Sequence, residues 1–147
     1  MKFPYRKFLL PQYSKSKYFG HSFLKPIIPI EICFKDKKVQ YLALIDSGAD
    51  FCIFHGEIGT YLGLDVKKGI PMVFSGIQGN SGSKAYLHEV KLTIGGKEYQ
   101  TIVGFSFDIS PRGFGVLGQK GFFDIFTVKF DLIGEEIELK EKVIKKR

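Results

Sequence analysis

Leu42-Ala43-Leu44-Ile45-Asp46-Ser47-Gly48-Ala49-Asp50 is the stretch that decides how this chain is read. Four apolar residues lead into an acid, a hydroxyl residue and a glycine, and a second apolar run, Phe51-Cys52-Ile53-Phe54, resumes after Asp50. A short apolar run closed by turn residues reads as a buried strand. Asp46 then stands where that strand ends, and its carboxylate can polarise or deprotonate a water. The Ser47 hydroxyl can lock the turn by hydrogen bonding across the site. Gly48 lets a backbone approach the carboxylate with no side chain in the way. Asp-Ser-Gly alone also occurs in ordinary turns. The apolar runs on both sides are what give it weight here.

Outward from this segment the chain reads as short strands. Ile28, Ile30, Ile32 and Phe34 alternate with Pro29, Glu31, Cys33 and Lys35, the period of a strand with one buried face. Asp36-Lys37-Lys38 makes a turn, and Val39 to Ile45 returns, so a hairpin delivers Asp46 to its loop. Ile53 to Leu64 can hold a short helical turn, since Gly56, Gly59 and Gly63 oppose a long one. A second hairpin repeats the first: Val90 to Val103 lies on Ile30 to Ala43 without a gap, with Lys37/Lys97 and Gln40/Gln100 shared. Ser106 falls where Asp46 stands in the first copy. The second copy leads into Gly115-Val116-Leu117-Gly118, and Gln119 to Phe126 has helical potential. Thr127 to Leu132 and Glu136 to Lys140 read as a closing hairpin around Gly134. Between the two copies, the small and turn residues following Gln78 separate two strand-like runs and read as a flexible hairpin tip.

Taken together, these features resemble the retropepsin-like aspartic proteases. That family's signature is an aliphatic strand followed by Asp-Ser/Thr-Gly-Ala, and its lobes carry an internal pseudo-twofold. The resemblance covers residues 27–139. It implies a mainly β, single-lobe acid-protease fold: a closed β-barrel-like body with a flap hairpin and one short helix, dimerising across the active site. Asp46, Ser47 and Gly48 are the implied catalytic residues. Ala49, Asp50, the flap residues Gly76, Ile77, Gln78 and Gly79, and Val116 and Leu117 are the implied substrate contacts. Val116-Leu117-Gly118 would cross beside the catalytic loop and then start a helix. The family often has Arg after this glycine, paired with the second acid of the catalytic segment. Gln119 stands there instead, which leaves Arg112 or Lys120 to pair with Asp50.

Such a site needs two carboxylates, and the chain holds a single strand-Asp-Ser-Gly element. Asp65, Asp108, Asp124 and Asp131 lack its setting. The resemblance therefore implies a symmetric homodimer, with one Asp46 from each subunit. The implied function is an aspartic-type endopeptidase acting on an extended polypeptide, with no cofactor and no metal. The alternative is a catalytically inactive dimeric peptide-binding or scaffold protein of the same fold, because fold does not fix activity.

Composition bounds the rest. A chain of 147 residues with 44% hydrophobic content is one domain's worth and can bury a substantial core. Its apolar runs are too short to span a membrane, and its basic start lacks the apolar segment and cleavage site of a secretory signal, so a cytoplasmic location is the expectation. Cys33 and Cys52 are then expected as free thiols. They and His21, His55 and His88 have no metal-ligand spacing. The net charge of +7 is unevenly placed. Residues 1–26 carry +6 and residues 140–147 carry +4, which leaves −3 for the domain between them. Contact with nucleic acid or anionic membrane is expected only through those basic ends. The aromatics Phe3, Tyr5, Phe8, Tyr13, Tyr18 and Phe19 imply that the N-terminal segment packs on something.

Overall fold

The computed structural model describes residues 1–76 and 82–143. Twelve strands and one α-helix are found among them: β1 (Lys2–Pro4), β2 (Arg6–Leu9), β3 (Ser22–Lys25), β4 (Ile27–Phe34), β5 (Lys37–Ile45), β6 (Ile53–His55), α1 (Gly56–Tyr61), β7 (Ile70–Phe74), β8 (Ser83–Ile94), β9 (Lys97–Ser106), β10 (Gly115–Leu117), β11 (Phe126–Asp131) and β12 (Glu136–Glu141).

The period-2 pattern puts Ile28, Ile30 and Ile32 of β4 and Val90, Leu92 and Ile94 of β8 into one core, with Phe54, Phe105 and Leu117. Burying a side chain of this size is worth about 1.5–3 kcal/mol. The strands run in the order β4-β5-β10-β6-β9-β8, and β8 pairs back onto β4, closing a six-stranded barrel. Closure passes between the two sequence repeats. Ile32 faces Leu92, its own counterpart sixty residues on, so a pseudo-twofold axis runs through that pair. The two copies also exchange strands: β10 lies parallel to β5, and β6 lies parallel to β9. Each hairpin therefore completes the other's half of the barrel.

The hairpin expected between the copies forms from β7 and the start of β8, with Ile70 facing Leu87 and Phe74 facing Ser83. Ile77, Gln78 and Gly79 at its tip lie outside the described residues. The short helix expected after Ile53 is α1. The His55 ring accepts the Glu57 N–H at 3.1 Å to cap its start, and Gly63 at φ 90° ends it.

The helix expected over Gln119 to Phe126 does not form. Gly121 adopts φ 102°, and its N–H bonds to Asp124 Oδ1 at 2.9 Å. Its carbonyl accepts the Thr101 hydroxyl at 2.8 Å, so the segment runs as successive turns anchored to β9. The closing hairpin is β11–β12, and β1 pairs along β12 in a three-stranded sheet, β1-β12-β11. Ile137 and Leu139 of β12, with Phe3 beside them, belong to the barrel core. Among the described residues no helix is long and apolar enough to cross a membrane.

Candidate active site

Three strands frame the Asp46 loop. β10 runs between β5 and β6, with Leu117 beside Ile45 and Val116 between Leu44 and Ile53. The loop is then tied down through its backbone. Asp46 N–H donates to the Leu117 carbonyl at 2.9 Å, Gln119 N–H to the Ala49 carbonyl at 2.8 Å, and Lys120 N–H to the Asp50 carbonyl at 2.9 Å. Behind the loop, Cys52 N–H donates to the Lys120 carbonyl at 3.1 Å. Gly118 is required by this close approach, because a Cβ there would sit 2.7 Å from the Ala49 carbonyl oxygen. The Val116-Leu117-Gly118 crossing expected beside the loop is therefore present.

Asp46 is half-buried, and its carboxylate Oδ1 accepts the Gly48 N–H at 2.9 Å. A carboxylate held by a backbone N–H two residues on keeps its second oxygen and its orientation available to a ligand. Ser47, Gly48 and Asp50 are exposed, and Ala49 is half-buried. The Ser47 hydroxyl makes no hydrogen bond among the described residues of this single chain. Val116 lines the surface, whereas the Leu117 side chain is fully buried in the barrel core. Leu117 thus serves the site through its carbonyl, and its side chain cannot reach a ligand. Gly76 is exposed at the end of the β7 side of the hairpin.

The ion pair expected for Asp50 is absent among the described residues. Lys120 Nζ lies 3.3 Å from Asp124 Oδ2 instead. Arg112 lines a groove of about 830 Å³ on the barrel flank with Pro29, Tyr41 and Phe114, and this groove includes none of residues 46–50. Gln119 performs a different service: its side-chain Nε2 donates to the Ser47 carbonyl at 2.7 Å. A neutral amide can brace the loop backbone where an ion pair would brace the Asp50 side chain. Sequence reading noted Gln119 only as a departure, because a bond to a main-chain carbonyl leaves no mark on residue types.

Beside the loop lies a second apolar cluster that the sequence reading did not separate out. Phe51, Ile53 and Ala85 form it, with Phe74, Leu87, Ile109 and Val116 partly exposed around them. Phe51 and Phe74 meet edge to face at 6.0 Å, joining the loop to the β7–β8 hairpin. The signal was available in the alternation of the run 51–54: Phe51 and Ile53 face this cluster, while Cys52 and Phe54 face the main core. Burial pushes the Cys52 thiol up to about 12, so it stays protonated behind the loop at neutral pH.

The position matching Asp46 in the second copy is closed. Ser106 is fully buried, its Oγ accepts the Asp108 N–H at 3.1 Å, and its hydroxyl donates to the Lys84 carbonyl at 2.7 Å. Asp108 Oδ2 in turn accepts the Lys84 N–H at 2.9 Å. Among the described residues no group of three or more His, Cys, Asp and Glu side chains is arranged to hold a metal ion.

No family model and no curated protein matches this chain. Solved structures resemble it, two of them as follows. A retropepsin-like aspartic protease from Rickettsia conorii matches over 90% of this chain and 97% of its own, at 16% identity and a TM-score of 0.53. EIAV protease in complex with an inhibitor matches over 65% of this chain and 82% of its own, at 18% identity and a TM-score of 0.44. The first likeness shows the fold: a mainly β, closed-barrel, single-lobe body of the retropepsin-like kind.

Proposed function

We propose that this chain is a retropepsin-like aspartic endopeptidase whose site is completed by a second copy of itself. The observation that carries the proposal is the Asp46 loop. One carboxylate is held at a strand end by the Gly48 N–H and crossed by Val116-Leu117-Gly118, in a fold of that kind. The same loop argues for two chains. The chain's own equivalent position is Ser106, buried and bonded on both sides, so the second acid has to come from elsewhere.

Two Asp46 carboxylates meeting at a twofold axis cannot both stay ionised, and the pair holds one proton between them. The ionised member takes a proton from water as the water oxygen bonds to the scissile carbonyl carbon. The protonated member gives its proton to the carbonyl oxygen. As the tetrahedral intermediate collapses, the now ionised carboxylate takes a proton from one of its hydroxyls, the other carboxyl gives its proton to the departing nitrogen, and the C–N bond breaks. Ser47 braces one loop against the other, and Gly48 leaves room for the substrate backbone. Asp50 and Ala49 line the cleft beside Val116. The β7–β8 hairpin, with Gly76, Ile77, Gln78 and Gly79 at its tip, closes over an extended peptide by strand-like pairing and excludes water.

Digestion of an unbiased peptide mixture at mildly acidic pH, by wild type beside Asp46→Asn, tests the assignment. Cleavage is expected from the wild type and none from the folded mutant; equal turnover in both overturns it. Excess Asp46→Asn chains, mixed with wild type under exchange conditions, are expected to poison wild-type activity, because each mixed dimer has one carboxylate. Specific activity that is independent of dilution and of added mutant would refute the shared site.

A further inference from the structure

Residues 6–25 form an arm with no part in the Asp46 loop. β2 and β3 pair from Arg6–Lys25 to Leu9–Ser22, and the base of this hairpin docks on the barrel through Phe8, whose ring meets Phe114 edge to face at 5.7 Å. Lys25 Nζ lies over the Phe8 ring at 5.1 Å. Beyond the base the chain makes a single 3₁₀ turn at Gln12–Ser14 and then a tight turn from Ser16 to Gly20. Ser16 Oγ accepts the N–H groups of both Tyr18 and Phe19, at 3.3 and 3.2 Å, and Gly20 at φ 66° reverses the chain. The turn is thus built to hold Tyr18 and Phe19 outward.

The composition of the outward surface is unusual. Leu9, Tyr13, Tyr18 and Phe19 are exposed by 81, 90, 81 and 66%. Arg6, Lys7, Lys15, Lys17 and Lys25 accompany them, with no Asp or Glu anywhere in residues 1–26. A water-facing surface gains nothing from four large apolar side chains on one short excursion. Exposure this high also means that they protrude. Proteins that stack single-stranded bases use aromatic platforms set in a basic groove, which would leave the rings partly covered. Protruding Tyr, Phe and Leu ringed by lysines match an anionic bilayer surface instead: rings and aliphatics seat at the headgroup level, and lysines face the phosphates.

We infer that residues 9–19 are a docking tip for anionic lipid membranes, which seats the protein on a bilayer surface through Leu9, Tyr13, Tyr18 and Phe19, with Lys15 and Lys17 facing the headgroups. The base stays on the barrel through Phe8, so the tip engages without disturbing the Asp46 loop. Each lysine near such a surface is worth roughly fivefold in partitioning.

The test is cosedimentation of the full chain with phosphatidylcholine–phosphatidylserine vesicles and with pure phosphatidylcholine vesicles. Binding is expected to the first only and to weaken as salt is raised. Combined Tyr13→Ala, Tyr18→Ala and Phe19→Ala, and separately combined Lys15→Glu and Lys17→Glu, are each expected to lower it by about tenfold or more with thermal melting unchanged. The chain contains no tryptophan, so Phe19→Trp gives a single reporter whose emission should shift to the blue on anionic vesicles. Absence of binding, equal binding to neutral vesicles, an unshifted emission from that reporter, or binding only to a single-stranded RNA oligonucleotide would each overturn the inference. None of these readouts depends on peptidase activity.

Discussion

Residues 30–46 and 90–106 follow the same path and arrive at different ends. Each begins in a barrel strand, reverses at a two-residue turn and returns in a second strand. Each then closes on a side-chain oxygen that accepts the N–H two residues ahead: Asp46 Oδ1 from Gly48, and Ser106 Oγ from Asp108. From there they diverge. Asp46 is reachable, and Ser47 and Gly48 beside it are exposed. Ser106 is fully buried and also spends its hydroxyl proton on the Lys84 carbonyl. One copy of the motif has kept a group that can act on a ligand. The other uses the same turn geometry to pin the root of β8. β5 and β9 also run in opposite directions across β10 and β6, so the chain leaves the two corners heading opposite ways. Asp108, next to the closed corner, is itself tied down by the Lys84 N–H.

The strongest way to break this comparison is to put an acid at the closed corner. Ser106→Asp is expected to destabilise the fold by about 3–5 kcal/mol. It buries a carboxylate against the Lys84 carbonyl, which was accepting a proton and would now face another acceptor. It should add no activity to an Asp46→Asn chain. Urea denaturation together with the peptide-library assay checks both. A stable, active Asp46→Asn/Ser106→Asp chain would show that the two corners are interchangeable.

A smaller effect is expected from Gln119→Ala, which touches only the open corner. Losing the 2.7 Å bond to the Ser47 carbonyl frees the loop backbone. The bond is exposed, so stability should fall by only about 0.5 kcal/mol. Turnover should fall roughly ten- to a hundredfold, through misplacement of Asp46 and Ser47. Steady-state kinetics beside thermal melting separates the two. Equal losses in rate and in folded fraction would reduce Gln119 to a structural residue.

Much of this was legible in the residues. The alternation of Ile28 to Phe34, the sixty-residue repeat, the strand ending at Asp46 and the closing hairpin all depend on nearest neighbours and period-2 patterning, and the fold reproduces them. The expectations that changed depended on contacts made across the fold. The helix after Gly118 gave way because Gly121 is held by Thr101 of β9, a tertiary bond that overrides local helical preference. Lys120, a candidate partner of Asp50, lies against Asp124 four residues on instead. The pairing of β1 with β12 joins Phe3 to Ile137 from opposite ends of the chain, and no local pattern announces it. The resemblance implies Leu117 as a substrate contact beside Val116, yet successive strand residues face opposite sides, and the Leu117 side chain faces the core.

The finest test of the repeat lies in its two turns, where the effect is smallest. The first residue of each sits at positive φ, 53° at Lys35 and 60° at Gly95. The repeat thus imposes the same left-handed backbone on two different residues. An L side chain costs roughly 1–2 kcal/mol in that region, and Gly costs nothing there but loses more entropy on folding. Lys35→Gly should therefore stabilise by less than that penalty, about 0.5–1 kcal/mol. Gly95→Ala should destabilise by about 1–2 kcal/mol, because its Cβ takes on the left-handed strain and would also meet Met1 Sδ at 2.7 Å. The methionine side chain can yield, so the backbone term dominates, and the two substitutions should move the urea midpoint in opposite directions. Movement in the same direction would mean that the turns match in length and not in conformation. The pseudo-twofold would then be carried by the strands and by the Ile32–Leu92 pairing alone.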